Sequence, residues 1–325
     1  IRPAMLGAAG FWLADWVHGL DRWDEPTRAT FFVVKIWVAR VVLVVLLCGS
    51  VYWYVSPLSL SVLHERPAAG AQARILLLGF GNTFGAAFLL ATSLIFAYLF
   101  LLSQPMGQLA LTACFVALLL LAELGDHERD ARLLAASKLA EATQTKEVTS
   151  TRHGPSFLDV VCVALLGFVA FFGTGHQATF SSIQWRVAFV GFSTVTYPWS
   201  PLFVILNAFG PLCVLPAFGV ILLTLWNLAP TRERPDEERP PPMRLPCDIL
   251  RSALALLLYA GTLTLSAATW AWFFRRHLML FKIWVPRYMT AGLGLLVTDV
   301  ALLGAVLTAW CIASHTSRAF GTLYS

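Results

Sequence analysis

The chain has 325 residues, 58 % of them hydrophobic and only 13 % charged, with a formal net charge of +5. A soluble domain carries about 25 % charged residues, so a single soluble core is excluded as the place for this much apolar surface. The positive balance is not that of a nucleic-acid binder either, because no basic stripe is interleaved with exposed aromatics.

Apolar runs longer than about 18 residues read as membrane spans. Seven are expected, near 29–55, 73–103, 105–124, 157–173, 199–227, 249–273 and 287–313. The expected fold is all-α, one polytopic transmembrane helix bundle over residues 1–325. Residues 1–13 read as the end of an earlier helix. Ile1 stands in place of a methionine and no charged leader with a small-residue cleavage site follows it, so the chain is expected to be a piece of a longer protein.

Lys35 and Arg40 lie toward one end of the first span, from which long basic side chains snorkel to the headgroups. Tyr52, Trp53 and Tyr54 form an aromatic belt at its other end. In GFGNTFG (79–85), Gly81 and Gly85 make a G-x-x-x-G pair that lets helices approach closely. No strand is expected before it, so it is not read as a nucleotide loop. Pro105 separates the second and third spans with almost no loop, which predicts a tight helical hairpin. Segment 125–154 mixes both charge signs with good helix formers, and 230–247 is rich in proline and charge, a composition that reads as an extended or disordered loop. Pro198, Pro201, Pro211 and Pro216 mark 199–227 as a span that can be broken. The six cysteines include no C-x-x-C and lie mostly in apolar runs, so they read as packing residues.

Alternate crossings put 56–74, 125–154, 230–247 and the C-terminus on one side, with thirteen of the 23 Lys and Arg residues. The other side carries eight, and Lys35 and Arg40 lie inside the first span. By the positive-inside rule the first side is cytosolic, which leaves 174–198 and 274–287 on the opposite face.

Those two loops are the informative stretches. The first, GTGHQATFSSIQWRVAF, sets His176, Gln177, Gln184, Trp185 and Arg186 between apolar segments. Irregular backbone at membrane depth survives only where protein or a watery cavity satisfies it. The loop therefore either contacts a lipid headgroup or sugar chain, or is a re-entrant turn whose polar groups satisfy one another. The second, RRHLMLFKIWVPRYM, gathers Arg275, Arg276, His277 and Lys282. Arginine forks suit a phosphate, and interfacial anchoring by snorkelling explains them equally well. Three polar residues remain within or at the ends of spans: Asn207, Glu123 and Asp299. Asp299, near the middle of the last span, is the intramembrane candidate, since a carboxylate there is costly and faces protein or water. No metalloprotease, hydrolase or phosphate-loop motif occurs, and no catalytic or metal-binding residue is assigned in this chain.

The stretches GTGHQATFSSIQWRVAFVGF (173–192) and RRHLMLFKIWVPRYM (275–289) resemble the C-terminal membrane region of the glycosylphosphatidylinositol (GPI) ethanolamine phosphate transferases. The resemblance implies an endoplasmic reticulum membrane protein that transfers phosphoethanolamine from phosphatidylethanolamine to a mannose of the GPI precursor on the lumenal side. It implies a catalytic domain upstream, with two zinc ions and a threonine nucleophile, and no cofactor in the stretch at hand. It also implies a small multi-span partner subunit. Two other classes stay open. A lipid or small-molecule transporter would need inverted repeats with matching broken helices, and a non-catalytic membrane subunit would need no active site of its own.

Overall fold

The computed structural model describes residues 2–19, 24–55, 61–64, 75–78, 83–143, 154–178, 182–228, 244–276 and 284–324. Among them run α1 (Arg2–His18), α2 (Glu25–Val55), β1 (Ser61–His64), β2 (Ile75–Leu78), α3 (Thr83–Leu102), α4 (Pro105–Thr143), α5 (Phe157–Gly173), α6 (Trp199–Phe209), α7 (Leu215–Leu225), α8 (Arg244–Phe273) and α9 (Trp284–Tyr324). A π-helical turn, Gly210–Val214, joins α6 to α7. Six segments are long and apolar enough to cross a membrane: α2, α3, the first part of α4, α6 with α7, α8 and α9. The shorter apolar helix α5 adds to them, so the predicted all-α polytopic bundle stands. Helices prevail because a backbone in lipid must satisfy its own hydrogen bonds.

The second predicted span is too long at its start. Helix α3 begins at Thr83, and Ile75–Leu78 pairs antiparallel with β1, Ser61 opposite Leu78 and His64 opposite Ile75. A run such as ILLL is equally apolar in a strand and in a helix, so hydrophobicity alone does not choose between them. A strand thus does precede GFGNTFG, against expectation. Gly81 lies outside the described residues, and Gly85 is buried in α3. The predicted hairpin at Pro105 is present, with Ser103 and Gln104 as its whole turn and Pro105 opening α4, where its missing N–H costs nothing. Helix α4 continues through the charged stretch to Thr143. Most of 230–247 lies outside the described residues. Ser156 and Asp159 close a reciprocal capping box at the start of α5, a signal legible in S-F-L-D.

Helix α7 is the centre of the bundle, with every residue buried, and α3 lies against it. Lipid gives no hydrophobic drive between helices, so close approach at small residues holds them together. A Cβ on Gly210 would meet Leu99 Cδ2 at 2.2 Å. One on Gly167 of α5 would meet Pro216 Cγ at 2.3 Å and the Leu212 carbonyl at 3.0 Å. The π-helical turn at Pro211 and the proline at the start of α7 are therefore seated on α5. Gly167→Ala forces a rigid ring and a backbone carbonyl to move, and is expected to cost about 1–3 kcal/mol. Gly304 has nothing within 4 Å of its added Cβ, so Gly304→Ala is expected to be neutral or slightly stabilising. Thermal unfolding of the two variants in one detergent checks the contrast.

Contacts sort the connections between two ends. Gly107, just after the α3–α4 turn, sits 3.3 Å from Thr174 by its added Cβ, and Trp12 Nε1 donates to the Leu101 carbonyl at 2.8 Å. These place the α3–α4 turn, the end of α5 and part of α1 together. At the other end, Gly154 lies beside Asp248. Helices α5 and α8 start there side by side and pack together, so they run parallel, and Arg275 after α8 shares the end of the bundle with Thr174.

Candidate functional site: a re-entrant loop on a buried polar frame

The segment from Thr174 to Pro198 leaves α5 and returns into α6, and among its described residues runs a 3-10 turn, Trp185–Phe189. Its irregular backbone is held by side chains. At the end of α5, Thr174 Oγ1 donates to the carbonyls of Ala170 and Phe171, each at 2.9 Å. Gly175 follows at φ +85, a left-handed conformation that glycine adopts without strain. That turn brings His176 N to the Phe171 carbonyl at 3.2 Å and lays the imidazole on the Phe171 ring, centroids 5.4 Å apart.

The His176 ring is then fixed at both nitrogens. Nδ1 lies 3.0 Å from Thr174 Oγ1. That hydroxyl hydrogen is already directed at α5 carbonyls, so the histidine donates from Nδ1. Nε2 is left as the acceptor, 3.2 Å from Asn207 Nδ2 of α6. The same amide nitrogen lies 3.3 Å from Gln184 Oε1, and Gln184 Nε2 donates to the Thr174 carbonyl at 2.8 Å. The circle closes over four side chains, three from the loop and one from α6. His176 and Asn207 are each only 2 % exposed. Burial away from any counter-charge pushes the His176 pKa down to about 4, so the ring is neutral at physiological pH. Buried polar groups without partners are costly, and one remains: Asn207 Oδ1 has no hydrogen-bond partner.

The rest of the loop is anchored similarly. Gln177 and Ser182 are joined, Ser182 Oγ donating to the Gln177 carbonyl at 2.7 Å. Val187 and Val190 are buried. Ser200 Oγ donates to the Ala188 carbonyl at 2.7 Å, and the Gly191 carbonyl accepts from Arg40 Nε of α2 at 2.8 Å. Gly191 has φ +80, with Arg40 Cγ and Ala39 Cβ within 4 Å of its added Cβ. The loop therefore reaches α2 well inside that helix.

The sequence candidates divide. His176 and Gln184 face inward and carry the frame. Gln177 and Arg186 are exposed, and Trp185 is 64 % exposed. Arg275 and Arg276 are exposed just beyond α8, with the Arg275 guanidinium 4.9 Å from the Trp272 ring centroid. His277 and Lys282 lie outside the described residues. Asp299 is exposed on α9, while its neighbour Thr298 is buried. Glu123 is exposed on α4. Thr174 and Ser200 escaped the sequence reading, and Asn207 was flagged there without its partners. The available signal was a threonine followed by glycine at the end of an apolar helix, and a lone asparagine in the next one. Among the described residues no group of three His, Cys, Asp or Glu could hold a metal ion.

Comparison with known proteins supplies the family. Over 272 residues the chain is 32 % identical to GPI ethanolamine phosphate transferase 3 of Eremothecium gossypii, covering 83 % of this chain and 24 % of that protein. The chain belongs to the GPI ethanolamine phosphate transferase family. The Saccharomyces cerevisiae GPI ethanolamine phosphate transferase 3 is 32 % identical over 259 residues, 79 % of this chain and 22 % of its own length. Human GPI ethanolamine phosphate transferase 3, catalytic subunit, is 31 % identical over 190 residues, 50 % of this chain and 17 % of its own length. The chain thus spans a quarter or less of the transferases it matches. No family model matches it, and no solved structure does.

Proposed function

We propose that this chain is the membrane domain of an enzyme that moves phosphoethanolamine from phosphatidylethanolamine to a mannose of the GPI precursor, at the lumenal face of the endoplasmic reticulum membrane. It anchors a catalytic domain carried upstream in the full-length protein and presents the lipid substrates to it. Beyond the family relation, one observation supports the reading. Exposed Gln177, Trp185 and Arg186 stand on a loop made rigid by buried side chains, at the same end of the bundle as exposed Arg275 and Arg276. The excess of Lys and Arg expected on the opposite loops supports reading this as the lumenal end.

In this reading His176 and Gln184 position the loop. Gln177, Trp185 and Arg186 contact a headgroup or glycan, and Arg275 and Arg276, with His277 and Lys282, meet phosphate. The two zinc ions that the resemblance implies are assigned in this reading to the upstream domain, and the described residues here offer no group of three His, Cys, Asp or Glu for one. Asp299, an exposed carboxylate on a spanning helix, is costly against lipid and is the position on this surface best suited to a hydrogen-bond donor of a multi-span partner subunit.

The test uses the full-length protein in cells without the endogenous enzyme. Replacing Gln177, Trp185, Arg186 and Arg275 together with alanine is expected to lower transfer to the GPI precursor about tenfold or more, with protein abundance unchanged. Abundance is measured by immunoblot and transfer by labelled GPI intermediates. Undiminished transfer in this variant overturns the presentation role.

A further inference from the structure

We infer that the outer face of α1 and α2 holds one glycerophospholipid, with an acyl chain in the groove between the two helices and the phosphodiester on Arg40. The groove encloses about 430 Å³ and is lined almost wholly by apolar side chains, among them Ala4 of α1 and Val34, Trp37, Val41 and Val45 of α2. It runs from Val33 to Val45, roughly 18 Å at 1.5 Å per residue. One bilayer leaflet contributes about 15 Å of hydrocarbon, half of the ~30 Å core, so the groove has the length of an acyl chain.

Arg40 supplies the reason for a phospholipid in particular. It stands at the edge of the groove, its guanidinium 5.3 Å from the centroid of the Trp37 ring. Its Nε is held by the Gly191 carbonyl, which fixes the orientation of the fork. Among the described residues its Nη groups have no hydrogen-bond partner and no carboxylate pairs with it. The nearby acid on α1, Asp15, is bound to Lys35 Nζ at 2.6 Å. Arg40 is nonetheless exposed, within the apolar run of α2 and toward its N-terminal side. A cation at that depth demands a counter-charge, and a phosphate offers two oxygens to an arginine fork. Helical side chains lean toward the N-terminus of their helix, so the fork reaches toward the end of α2 nearer the membrane boundary. An apolar groove and an oriented, unpaired cation beside it match the two halves of one lipid.

The inference rests on the membrane character of the chain, and its readout is binding, so it stands or falls apart from the transfer reaction. The full-length protein is reconstituted in phosphatidylcholine vesicles that contain a trace of phosphatidylcholine carrying a diazirine on one acyl chain. After irradiation, the label is expected on the α2 peptide around Val41. Arg40→Gln, which keeps a donor for Gly191, and Val41→Trp, which fills the groove and leaves Arg40 alone, should each reduce that label about tenfold, equivalent to ~1.4 kcal/mol. Diacylglycerol with the same diazirine chain should label the site about tenfold less than the phospholipid at equal mole fraction. Equal labelling by the two probes removes the phosphate contact and overturns the assignment. Unchanged labelling in both variants overturns it as well. Absence of the label from the α2 peptide of the wild-type protein, with labelling elsewhere on the chain, means that the groove is closed to lipid and overturns the assignment as well.

Discussion

Acidification from pH 7 to pH 4 is expected to weaken the folded protein by on the order of 3 kcal/mol through His176 alone. The His176 pKa is depressed from 6.5 to about 4 by burial, and one unit corresponds to about 1.4 kcal/mol. The sign follows from proton uptake. Between these two values the unfolded chain holds a proton on this residue and the folded chain does not, so stability falls as pH falls through that window. Above pH 6.5 the contribution is complete. The groups around the ring, Thr174, Asn207, Gln184 and Phe171, are all neutral, so no counter-charge offsets the burial of an imidazolium. Other groups titrate over the same range, so the measurement is a difference between wild type and His176→Asn. Asparagine can still donate to Thr174 and has no proton to gain. Its unfolding midpoint should lie below that of wild type at pH 7, and the gap should close or reverse by pH 4. Parallel curves would mean that water reaches the ring and that the buried frame is open in solution.

Much of this architecture was legible from composition. Spans 29–55, 157–173 and 249–273 are continuous apolar runs, and their helices fall close to the expected limits. The hairpin at Pro105 was legible for a local reason, since proline opens a helix more readily than it continues one. The ILLL run failed because four apolar residues carry no period long enough to separate strand from helix. The site divides along the same line. Its presence in 173–189 was legible, because polar and glycine-rich residues between two apolar runs demand an explanation at membrane depth. Which residues point inward was not. His176 and Gln177 are neighbours of similar polarity, yet one is buried and the other exposed. The difference arises from the left-handed turn at Gly175 and from Asn207, 31 residues away along the chain. Arg40 reads as a snorkelling residue from its position alone, and only the return of the loop to Gly191 shows what holds it.

Replacing Asn207 by leucine is expected to cost about 2–4 kcal/mol and to release the loop. The Asn207 amide nitrogen is the shared donor to His176 Nε2 and Gln184 Oε1. Leucine keeps the same branched skeleton but leaves two acceptors without a donor, and each such loss costs about 1–3 kcal/mol. Part of this is recovered, because the unpartnered Oδ1 of Asn207 disappears too. Asn207→Asp makes a sharper test. A carboxylate donates to neither acceptor and places negative charge against both, so while the imidazole is neutral, at alkaline pH, it should be worse than leucine. It also gives His176 a reason to take a proton on Nε2, which raises the folded pKa of the imidazole above its unfolded value. That stabilisation is then present at low pH and lost as pH rises through the raised pKa, so this variant should gain relative to wild type on acidification, opposite to the His176 effect in the native frame. In the full-length protein, limited proteolysis between Thr174 and Pro198 reports whether the loop has come free. If Asn207→Leu unfolds no more easily than wild type and the loop stays resistant, the amide is dispensable, and the hydrophobic seat of Val187 and Val190 holds the loop by itself.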